Sequence, residues 1–377
     1  MRKVCYVSGT RADYGLMAST LHAIHVHPRL ELSVVVTGMH LIEQFGSTVN
    51  EIVSAGLTVA AQVHVDMDPP SGATMARNIG RMLDGFVDAF ESIRPDVVLL
   101  LGDRGEMLAG ALAAIHLNIP VVHIHGGERS GTVDEPVRHA ISKLSHYHFT
   151  ATEQAAERLV RMGELAEHVL VTGAPGLDGL ESLASIPRAR LAADAGLHSE
   201  VPIALFVYHP VLQEAASAGQ DTEQLLDALC AQGMQIVALM PNSDAGSDAV
   251  RAALARRSGD AGIFLATHFP RERFVSWMAC ADLIIGNSSS GIIEAGSFGT
   301  PVINIGSRQG PRERNANVRD VPELEATAVI EAVQEALSHG RFPKQNVYAM
   351  NGTAARIAGL LDTLNFDKSV LAKTNAY

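Results

Sequence analysis

The stretch from residue 123 to residue 148 concentrates side chains that could carry proton-transfer chemistry. It reads HIHGGERSGTVDEPVRHAISKLSHYH, and its charged residues of interest are Glu128, Asp134, Arg138 and Lys143. Five histidines lie within it as well: His123, His125, His139, His146 and His148. These residue types fit three kinds of site: a metal centre, a histidine-rich surface, or the acid–base floor of an active site.

The histidine spacing is the only signal for a metal in this stretch. His123 and His125 are two residues apart on a predicted strand and so share one face, and His146 and His148 repeat that spacing. A His-x-His pair can bind a metal ion. The sequence offers no third ligand at a characteristic spacing and no HExxH motif, so we predict no metal site. We interpret His139, His146 and His148 as mainly structural.

Two carboxylates stand where predicted elements meet. Asp103 ends the apolar run DVVLLLGD. Partial desolvation there would raise the pKa of a carboxyl group and suit it to proton transfer, although Asp103 could instead cap the following helix. Asp134 precedes Glu135 and Pro136, which mark a helix start. Asp134 is therefore a plausible N-cap, and a capping aspartate can still face a cleft.

Several polar motifs after predicted strands indicate an anionic ligand. The segment GNSSSG (286–291) opens a helix, whose free N–H groups and dipole can hold phosphate. Ser288 and Ser289 would add hydroxyl donors, although an ordinary serine N-cap is the alternative. Arg308 follows the predicted strand PVINIG and would face the same cleft.

Three more residues support this interpretation. Arg11 and Asp13 are predicted in a turn before a helix, where they could hold an anion and orient a neighbour, or form a capping salt bridge. His209 precedes Pro210 at a strand end, which aims its ring outward as a ligand. Together these motifs suggest an anion held by arginines and helix ends in an otherwise acidic protein.

Short apolar runs alternate with helical patterns along the whole chain, which is typical of an α/β fold. The predicted strands are 4–9, 32–38, 96–103, 120–125, 146–151, 169–174, 203–209, 235–241, 262–267, 282–287 and 301–306. Because these runs are nearly all apolar, they indicate parallel sheets that are buried on both faces. We predict two Rossmann-like, doubly wound domains that face a cleft, over residues 1–180 and 181–353, followed by a helical segment over 354–377. Ligands in such folds bind outside the carboxyl ends of strands.

Composition excludes several classes of function. Asp and Glu number 41 against 29 for Lys and Arg, a formal net charge of −12, so nucleic acid is an unsuitable partner. Cys5, Cys230 and Cys280 lie far apart, which suits a reducing cytoplasm. No apolar run approaches the roughly 20 residues of a membrane span. We expect a cytoplasmic protein with no membrane contact, whose first residues form a strand rather than a signal peptide.

The motifs resemble those of the UDP-N-acetylglucosamine 2-epimerase family. The resemblance rests on GTRADYG, LLGDR, GGERSGTVDEPVRHAISKLSH, YHP, GNSSSGIIEAG and TPVINIGSRQ, in the family order over roughly residues 1 to 364. The run SGTVD…RHAISKLSH is similar to the hydrolysing branch of the family. The resemblance implies a glycosyltransferase-B fold whose C-terminal helix crosses back to the first domain.

The resemblance also implies a reaction that needs no cofactor. UDP is eliminated in the anti sense across C1–C2 of a 2-acetamido sugar to give a glycal. Water then adds with inverted C2 stereochemistry, which releases UDP and the free manno-configured sugar. By motif, Asp103 and Asp134 would be catalytic carboxylates at the reacting sugar. The partner implied is a UDP-sugar, and the family resemblance suggests a homodimer or a homotetramer.

Further site residues follow from the same resemblance. Ser288, Ser289 and Glu294 would hold phosphate and ribose hydroxyls. His209, Arg11 and Arg308 would contact the diphosphate. Arg104 and Arg138 would support the carboxylates or the charge of the ligand.

One position departs from the family pattern. Sialic-acid-type members read HIEGGE, with a catalytic glutamate where this chain has His125. Either His125 takes over the acid–base role, as an imidazole that titrates near working pH, or Glu128 does. Members acting on a 2,4-diacetamido-2,4,6-trideoxy sugar look more like HIHGGE. We therefore favour UDP-N,N'-diacetylbacillosamine as the substrate, with UDP-GlcNAc as the alternative and a GDP-linked sugar left open.

Three rival interpretations remain at this point. A non-hydrolysing epimerase would retain UDP on its product, and SGTVD…RHAISKLSH speaks against it. A glycosyltransferase of the same fold would need an acceptor groove. A sugar-nucleotide sensor without catalysis draws support from the missing glutamate at position 125, whereas the retained Asp103 and Asp134 oppose it. The segments 60–80 and 307–316 contain Gly, Pro and Arg and could close over a ligand.

Overall fold

The first half of the chain forms one parallel sheet. The computed structural model describes residues 1–377, except for the side chain of Gln44. Seven strands make up this sheet: β1 (Arg2–Ser8), β2 (Leu30–Thr37), β3 (Val59–Val63), β4 (Val97–Leu101), β5 (Val121–Ile124), β6 (Tyr147–Thr150) and β7 (Val169–Val171). They lie in the order β3-β2-β1-β4-β5-β6-β7, and every pair is parallel.

Helices cover both faces of this first sheet. They are α1 (Arg11–His25), α2 (Val49–Ser54), α3 (Gly72–Ile93), α4 (Gly105–His116), α5 (Asp134–Leu144) and α6 (Glu153–Arg161). Two separate clusters of buried side chains flank the sheet: Tyr6 and Leu99 belong to one, Val7 and Leu100 to the other. Neighbouring residues of one strand thus point into opposite cores, which is why these strands are apolar at every position.

A second parallel sheet follows. Its six strands are β8 (Ile203–Val207), β9 (Gln235–Leu239), β10 (Ile263–Ala266), β11 (Leu283–Gly286), β12 (Val302–Ile305) and β13 (Val318–Val321), in the order β10-β9-β8-β11-β12-β13. The helices of this half are α7 (Leu180–Leu183), α8 (Arg188–Asp194), α9 (Ala218–Ala231), α10 (Ser247–Arg256), α11 (Arg271–Cys280), α12 (Ser289–Ile293) and α13 (Ala326–His339).

The last part of the chain returns to the first sheet. It forms α14 (Thr353–Thr363) and α15 (Lys368–Leu371). Helix α14 packs against α1, and Ile357 and Leu361 join the buried cluster around Tyr6. No helix in the described part of the chain combines the length and apolar character that a membrane span requires.

The observed architecture confirms the predicted pair of Rossmann-like α/β domains facing a cleft. The boundaries at residues 180 and 353 stay a prediction. One predicted detail was wrong: α1 begins at Arg11 rather than after a turn that holds Arg11 and Asp13. Segment 60–80 contains most of β3, the connection over 64–71 and the start of α3, and its closure over a ligand stays a prediction.

Strand order reverses once in each sheet, between β1 and β4 and between β8 and β11. At such a point the connections leave the sheet in opposite directions and open a crevice at the carboxyl ends of the strands. The two crevices face one another, so the fold itself fixes where a ligand must lie.

Candidate active site

A cavity of about 620 Å³ lies between the two domains at the carboxyl ends of their strands. Its lining includes every residue that the sequence analysis selected: Arg11, Asp13, Asp103, Arg104, His125, Glu128, Asp134, Arg138, His209, Ser288, Ser289, Glu294 and Arg308. The structure thus brings all of them to one cavity. The chemical role of each stays a prediction.

Asp103 lies two residues beyond β4 and is surrounded by cations. Its carboxylate forms an ion pair with Arg138, whose side chain is buried, and Oδ2 lies 3.9 Å from Nη2 of Arg312. The sequence predicts partial desolvation of Asp103 at the end of an apolar run. In the structure its surroundings are instead strongly cationic, because α5 and a loop of the second domain each place an arginine next to its carboxylate.

His125 and Glu128 form a buried pair in the turn after β5. His125 follows the last strand residue and has a left-handed backbone (φ 64°), so it does not share a strand face with His123 as expected. Its Nδ1 atom lies within hydrogen-bond distance of Oε1 of Glu128. Burial lowers the pKa of His125, so the ring is neutral at pH 7 rather than titrating near working pH as expected.

Arg312 is a cavity residue that the sequence analysis missed. It lies in the segment 306–317 between β12 and β13, and its side chain is buried and paired with Glu128 of the first domain. The backbone of the same segment is also bound to the first domain, because Gly131 N donates to the carbonyl of Arg308 at 3.0 Å. Segment 307–316 was expected as a closing element, and in the structure it lies against the first domain.

Asp134 begins α5 and approaches a second arginine of that segment. Its Oδ2 atom lies 3.9 Å from Nη2 of Arg308. The N-cap position belongs to Val133, and the Asp134 side chain makes no capping hydrogen bond, so the N-cap interpretation was wrong. Glu135 instead accepts from the backbone N–H of Ser130. The Asp134 carboxylate is therefore left directed at the cleft.

Arg11 and Asp13 occupy the first turn of α1. Asp13 completes a capping box with Thr10, and its carboxylate also accepts from Gly9 N at 3.0 Å and from Tyr6 Oη at 3.1 Å. With these donors around it, Asp13 fixes the turn between β1 and α1. Arg11 Nε donates to Glu51 at 2.8 Å, and its guanidinium group lines the cavity.

Arg104 and His209 face each other across the cleft near Asp244. Arg104 Nη2 lies 3.2 Å from Oδ1 of Asp244, a residue of the second domain that the sequence analysis missed. Burial alone would raise the pKa of Asp244, but Arg104 and Arg308 together lower it, so the pair is charged. Burial lowers the pKa of His209 to about 3, and its Nδ1 accepts from Asn242 N at 3.4 Å. A neutral His209 can still donate from Nε2.

Serine hydroxyls and a buried ion pair line the second domain. Ser288 is the N-cap of α12, where its Oγ accepts from Ser290 N, and Ser289 is the first helical residue. Glu294 directly follows the last residue of α12, is buried, and forms an ion pair with Arg271 of α11. Arg271 is a further cavity residue that sequence reasoning missed, because no motif distinguishes it from other arginines at a helix start.

The remaining histidines of the opening stretch serve the scaffold. His123 Nε2 donates to Gly102 O at 2.7 Å, next to Asp103, and Nδ1 lies 3.0 Å from Ser142 Oγ. His148 Nε2 lies 2.9 Å from Glu164, and Nδ1 of His146 accepts from the backbone at Val121. His139 Nε2 lies 3.0 Å from Glu135. The described residues contain no group of three or more potential metal ligands.

The arrangement separates two kinds of chemistry within one cavity. The first domain supplies carboxylates next to a neutral imidazole, which suits proton transfer. The second domain supplies serine hydroxyls and arginines, which suit an oxyanion such as a phosphate group. Such a cavity can bind an anionic leaving group at one end and remove a proton at the other.

Comparison with known proteins gives the chain a family. Residues 22–362 match the family described as UDP-N-acetylglucosamine 2-epimerase. A Legionella pneumophila protein named UDP-N,N'-diacetylbacillosamine 2-epimerase (hydrolyzing) is 47% identical over 377 residues, which are 100% of both chains. A Neisseria meningitidis protein named UDP-N-acetylglucosamine 2-epimerase is 34% identical over 368 residues, covering 97% of this chain and 95% of that relative.

Solved structures share the fold. A crystal structure of UDP-GlcNAc 2-epimerase from Neisseria meningitidis bound to UDP-GlcNAc superposes with a TM-score of 0.79 at 20% identity, over 95% of this chain and 99% of that one. This likeness confirms the predicted glycosyltransferase-B architecture. Because the family match spans most of the chain and the relatives cover nearly all of it, this chain belongs to the UDP-N-acetylglucosamine 2-epimerase family.

Proposed function

We propose that this protein is a hydrolysing UDP-sugar 2-epimerase. It converts a UDP-linked 2-acetamido sugar and water into UDP and the free manno-configured sugar. One observation carries the proposal: a single cavity joins Asp103, Glu128 and Asp134 of the first domain to Ser288 and the arginines of the second. Carboxylates suit proton transfer at C2, and the cationic wall suits a departing diphosphate.

The elimination step needs a base and a stabilised leaving group. The base accepts the C2 proton, and the C2–H electron pair forms the C1=C2 double bond. The C1–O bond breaks, and its electrons leave on UDP. Arg308 and the N–H groups at the start of α12 are suited to the charge that develops on the diphosphate. His209 is neutral and contributes a hydrogen bond rather than a charge.

The hydration step restores the C2 centre with the opposite configuration. Water adds to C1 as a hydroxyl group, and the one proton that it gives up passes to a carboxylate. A protonated group on the face opposite to the first proton removal donates a proton to C2. Asp103 and Asp134 are assigned to the reacting sugar. Carboxylates beside C1 also stabilise oxocarbenium character at that carbon. Inversion therefore requires proton-transferring groups on both faces of the ring, which a cavity lined from two domains provides.

UDP-N,N'-diacetylbacillosamine is the substrate that we favour. The Legionella pneumophila relative at 47% identity is named for that substrate, and this chain carries His125 where sialic-acid-type members carry glutamate. UDP-GlcNAc is the second candidate, supported by the name of the Neisseria meningitidis relative. The free sugar would be a precursor of legionaminic acid in the first case and of sialic acid in the second.

The proposal also covers the location of the enzyme, its oligomeric state and the role of each domain. We place it in the cytoplasm, where UDP-sugars are made, as a homodimer or homotetramer. The first domain (1–180) supplies the acid–base side, the second (181–353) binds the nucleotide, and the final segment (354–377) fastens the chain end to the first domain.

Incubation with UDP-N,N'-diacetylbacillosamine or UDP-GlcNAc in D₂O, followed by NMR, tests the proposal. The expected products are UDP and a free manno sugar with deuterium at C2, formed faster from the favoured substrate. A UDP-bound epimer would instead support a non-hydrolysing enzyme. Binding without turnover would support a sensor.

A further inference from the structure

The segment between β12 and β13, residues 306–317, reaches from the second domain to the acid–base groups of the first. We call it the closing loop. Its Arg312 side chain is 7% exposed and pairs with Glu128, which is 3% exposed, and Arg312 Nη2 lies 3.9 Å from Asp103. Two acidic residues of one domain therefore share a single buried cation that the other domain supplies.

The backbones of the two domains are in close contact next to this ion pair. Gly131 N donates to Arg308 O at 3.0 Å. A Cβ atom on Gly131 would lie 2.0 Å from the carbonyl oxygen of Ser307. Because both neighbours are backbone atoms, the Arg312–Glu128 contact requires glycine at position 131 and a closed pair of domains.

Arg312 contacts Glu128, and Glu128 in turn contacts His125. The His125–Glu128 pair has the arrangement of a general base. When the proton of the His125 ring is on Nδ1, it is donated to Glu128, and Nε2 becomes the acceptor. No hydrogen-bond partner for Nε2 occurs among the described residues, and the ring lines the cavity. A carboxylate that fixes one ring nitrogen while the other accepts a proton is the arrangement of a general base.

We propose that Arg312 is a positioning residue through which closure of the domains activates His125 as the base that removes the C2 proton. This inference rests on the proposed function. In the elimination step the C2 proton moves to Nε2 of His125, the C2–H electrons form the C1=C2 bond, and UDP leaves with the C1–O electrons. Glu128 then stabilises the imidazolium, and Arg312 holds Glu128 in place.

Electrostatics in the closed state support this role. Burial is the main influence that lowers the pKa of His125, Arg312 lowers it further, and Glu294 of the second domain opposes them. Glu128 contacts the ring directly, and the neighbouring His123 is itself neutral because burial lowers its pKa to about 3. Burial is therefore the main reason that the ring is unprotonated at working pH, and Arg312 adds to this effect in the closed state. When the domains open, the ring loses both the burial and the nearby cation, and its pKa rises.

The pH dependence of kcat/KM tests the inference. In Arg312→Gln the acidic limb of the kcat/KM profile should move up by about 1 pH unit, because loss of the nearby cation raises the pKa of His125. Arg312→Lys keeps the charge and should restore the limb to its wild-type position while kcat stays reduced. A residue that merely held substrate or fold would lower kcat/KM equally at every pH, and parallel profiles for Arg312→Gln and wild type would overturn the proposal.

A double-variant comparison assigns the shift to His125 rather than to Asp103. Asparagine tolerates the left-handed backbone at position 125 but supplies no base. His125→Asn should lower kcat by about 10²- to 10⁴-fold. Adding Arg312→Gln to it should produce no further movement of the acidic limb. If the limb moved as far as in the wild-type background, Asp103 would be the group that Arg312 acts on, and the proposal would fail.

Gly131→Ala tests closure without altering any charged group. The added methyl should separate the closing loop from the first domain, lower kcat and shift the acidic limb as Arg312→Gln does. The affinity for uridine, which lacks the diphosphate assigned to Arg308, should stay within about threefold, because Glu294 lies on the second domain outside the closing loop. Gly80→Ala in α3 is the matched control, since a Cβ there meets nothing within 4 Å. Wild-type kinetics for Gly131→Ala would contradict the proposal.

These outcomes are distinct from failure of the proposed function. If the wild-type protein releases no free sugar from any UDP-sugar tested, the proposed function fails. If wild type turns over while Arg312→Gln and Gly131→Ala match it in rate and pH profile, only the inference about the closing loop fails.

Discussion

The guanidinium group of Arg138 is 1% exposed and forms an ion pair with Asp103, whose side chain is 20% exposed. Burial lowers the pKa of Arg138 to about 9, so the group is still charged at pH 7. This ion pair connects Asp103, which follows β4, to helix α5. Arg138 thus holds the Asp103 carboxylate in place, and Asp103 lines the cavity.

Replacing Asp103 should remove chemistry rather than binding. We expect Asp103→Asn to lower kcat by about 10²- to 10⁴-fold, the range for loss of a proton-transferring group. The Kd for UDP should change by less than about threefold, because the nucleotide is assigned to the second domain. UDP release followed by chromatography and UDP binding by calorimetry give the two values. Asp88→Asn on the exposed face of α3 is the control, and an unchanged kcat would remove Asp103 from the mechanism.

Glu294 should show the opposite pattern. It is buried, paired with Arg271, and assigned to the ribose hydroxyls. Glu294→Gln should weaken UDP binding by about 10- to 100-fold, which corresponds to one hydrogen bond with a charged group. Calorimetry with UDP measures this, with Glu331→Gln on exposed α13 as the control. An unchanged Kd together with a fall in the melting temperature would make Glu294 a structural residue only.

The strands that sequence analysis found and missed differ in their place within the sheets. Central strands such as β8 are covered on both faces and are apolar throughout, so their pattern is plain. The two missed strands, β3 (VAAQV) and β13 (VRDV), lie at the edges of their sheets and carry polar residues. Edge strands are partly solvated, and polar residues there are tolerated, so sequence periodicity alone does not reveal them.

Local sequence patterns likewise identify only some residues of the candidate site. Asp103, His125, His209 and Ser288 each follow an apolar strand within two residues, so the rule for parallel sheets led to them. Arg312 stands in a long loop with no strand directly before it. Its position depends on how the two domains meet, and that is a property of tertiary packing which local sequence does not encode.

Asp13 should matter for stability more than for binding. Its two oxygens accept hydrogen bonds from Tyr6, Gly9 and Thr10, and an amide would turn an NH₂ group towards some of these donors. We expect Asp13→Asn to lower the free energy of unfolding by about 3 kcal/mol. Urea denaturation checks this, with exposed Asp84→Asn as the control. A protein of wild-type stability that no longer binds UDP would show instead that Asp13 contacts the ligand.

A buried carboxylate far from the cavity ties the chain end to the first domain. Glu164 is 2% exposed, and its oxygens lie 2.7 Å from Lys143 Nζ, 2.6 Å from Lys373 Nζ and 2.9 Å from His148 Nε2. Burial alone would raise the pKa of Glu164, but the hydrogen bond from His148 and those from the two lysines lower it to about 2. Lys373 therefore anchors the segment after α15.

Glu164→Gln should destabilise the protein in a pH-dependent way. The folded pKa of about 2 is below the ordinary value of 4.5, so the stabilisation is complete above pH 4.5 and disappears as the pH falls through 2. At pH 7 we expect a loss of about 3 kcal/mol, because removing one member of a buried ion pair leaves the others uncompensated. Melting temperatures measured from pH 7 to pH 3 should converge with those of wild type as the pH falls. Exposed Glu167→Gln should leave the melting temperature unchanged throughout, and a gap that stays constant with pH would show that the Glu164 charge does not anchor the chain end.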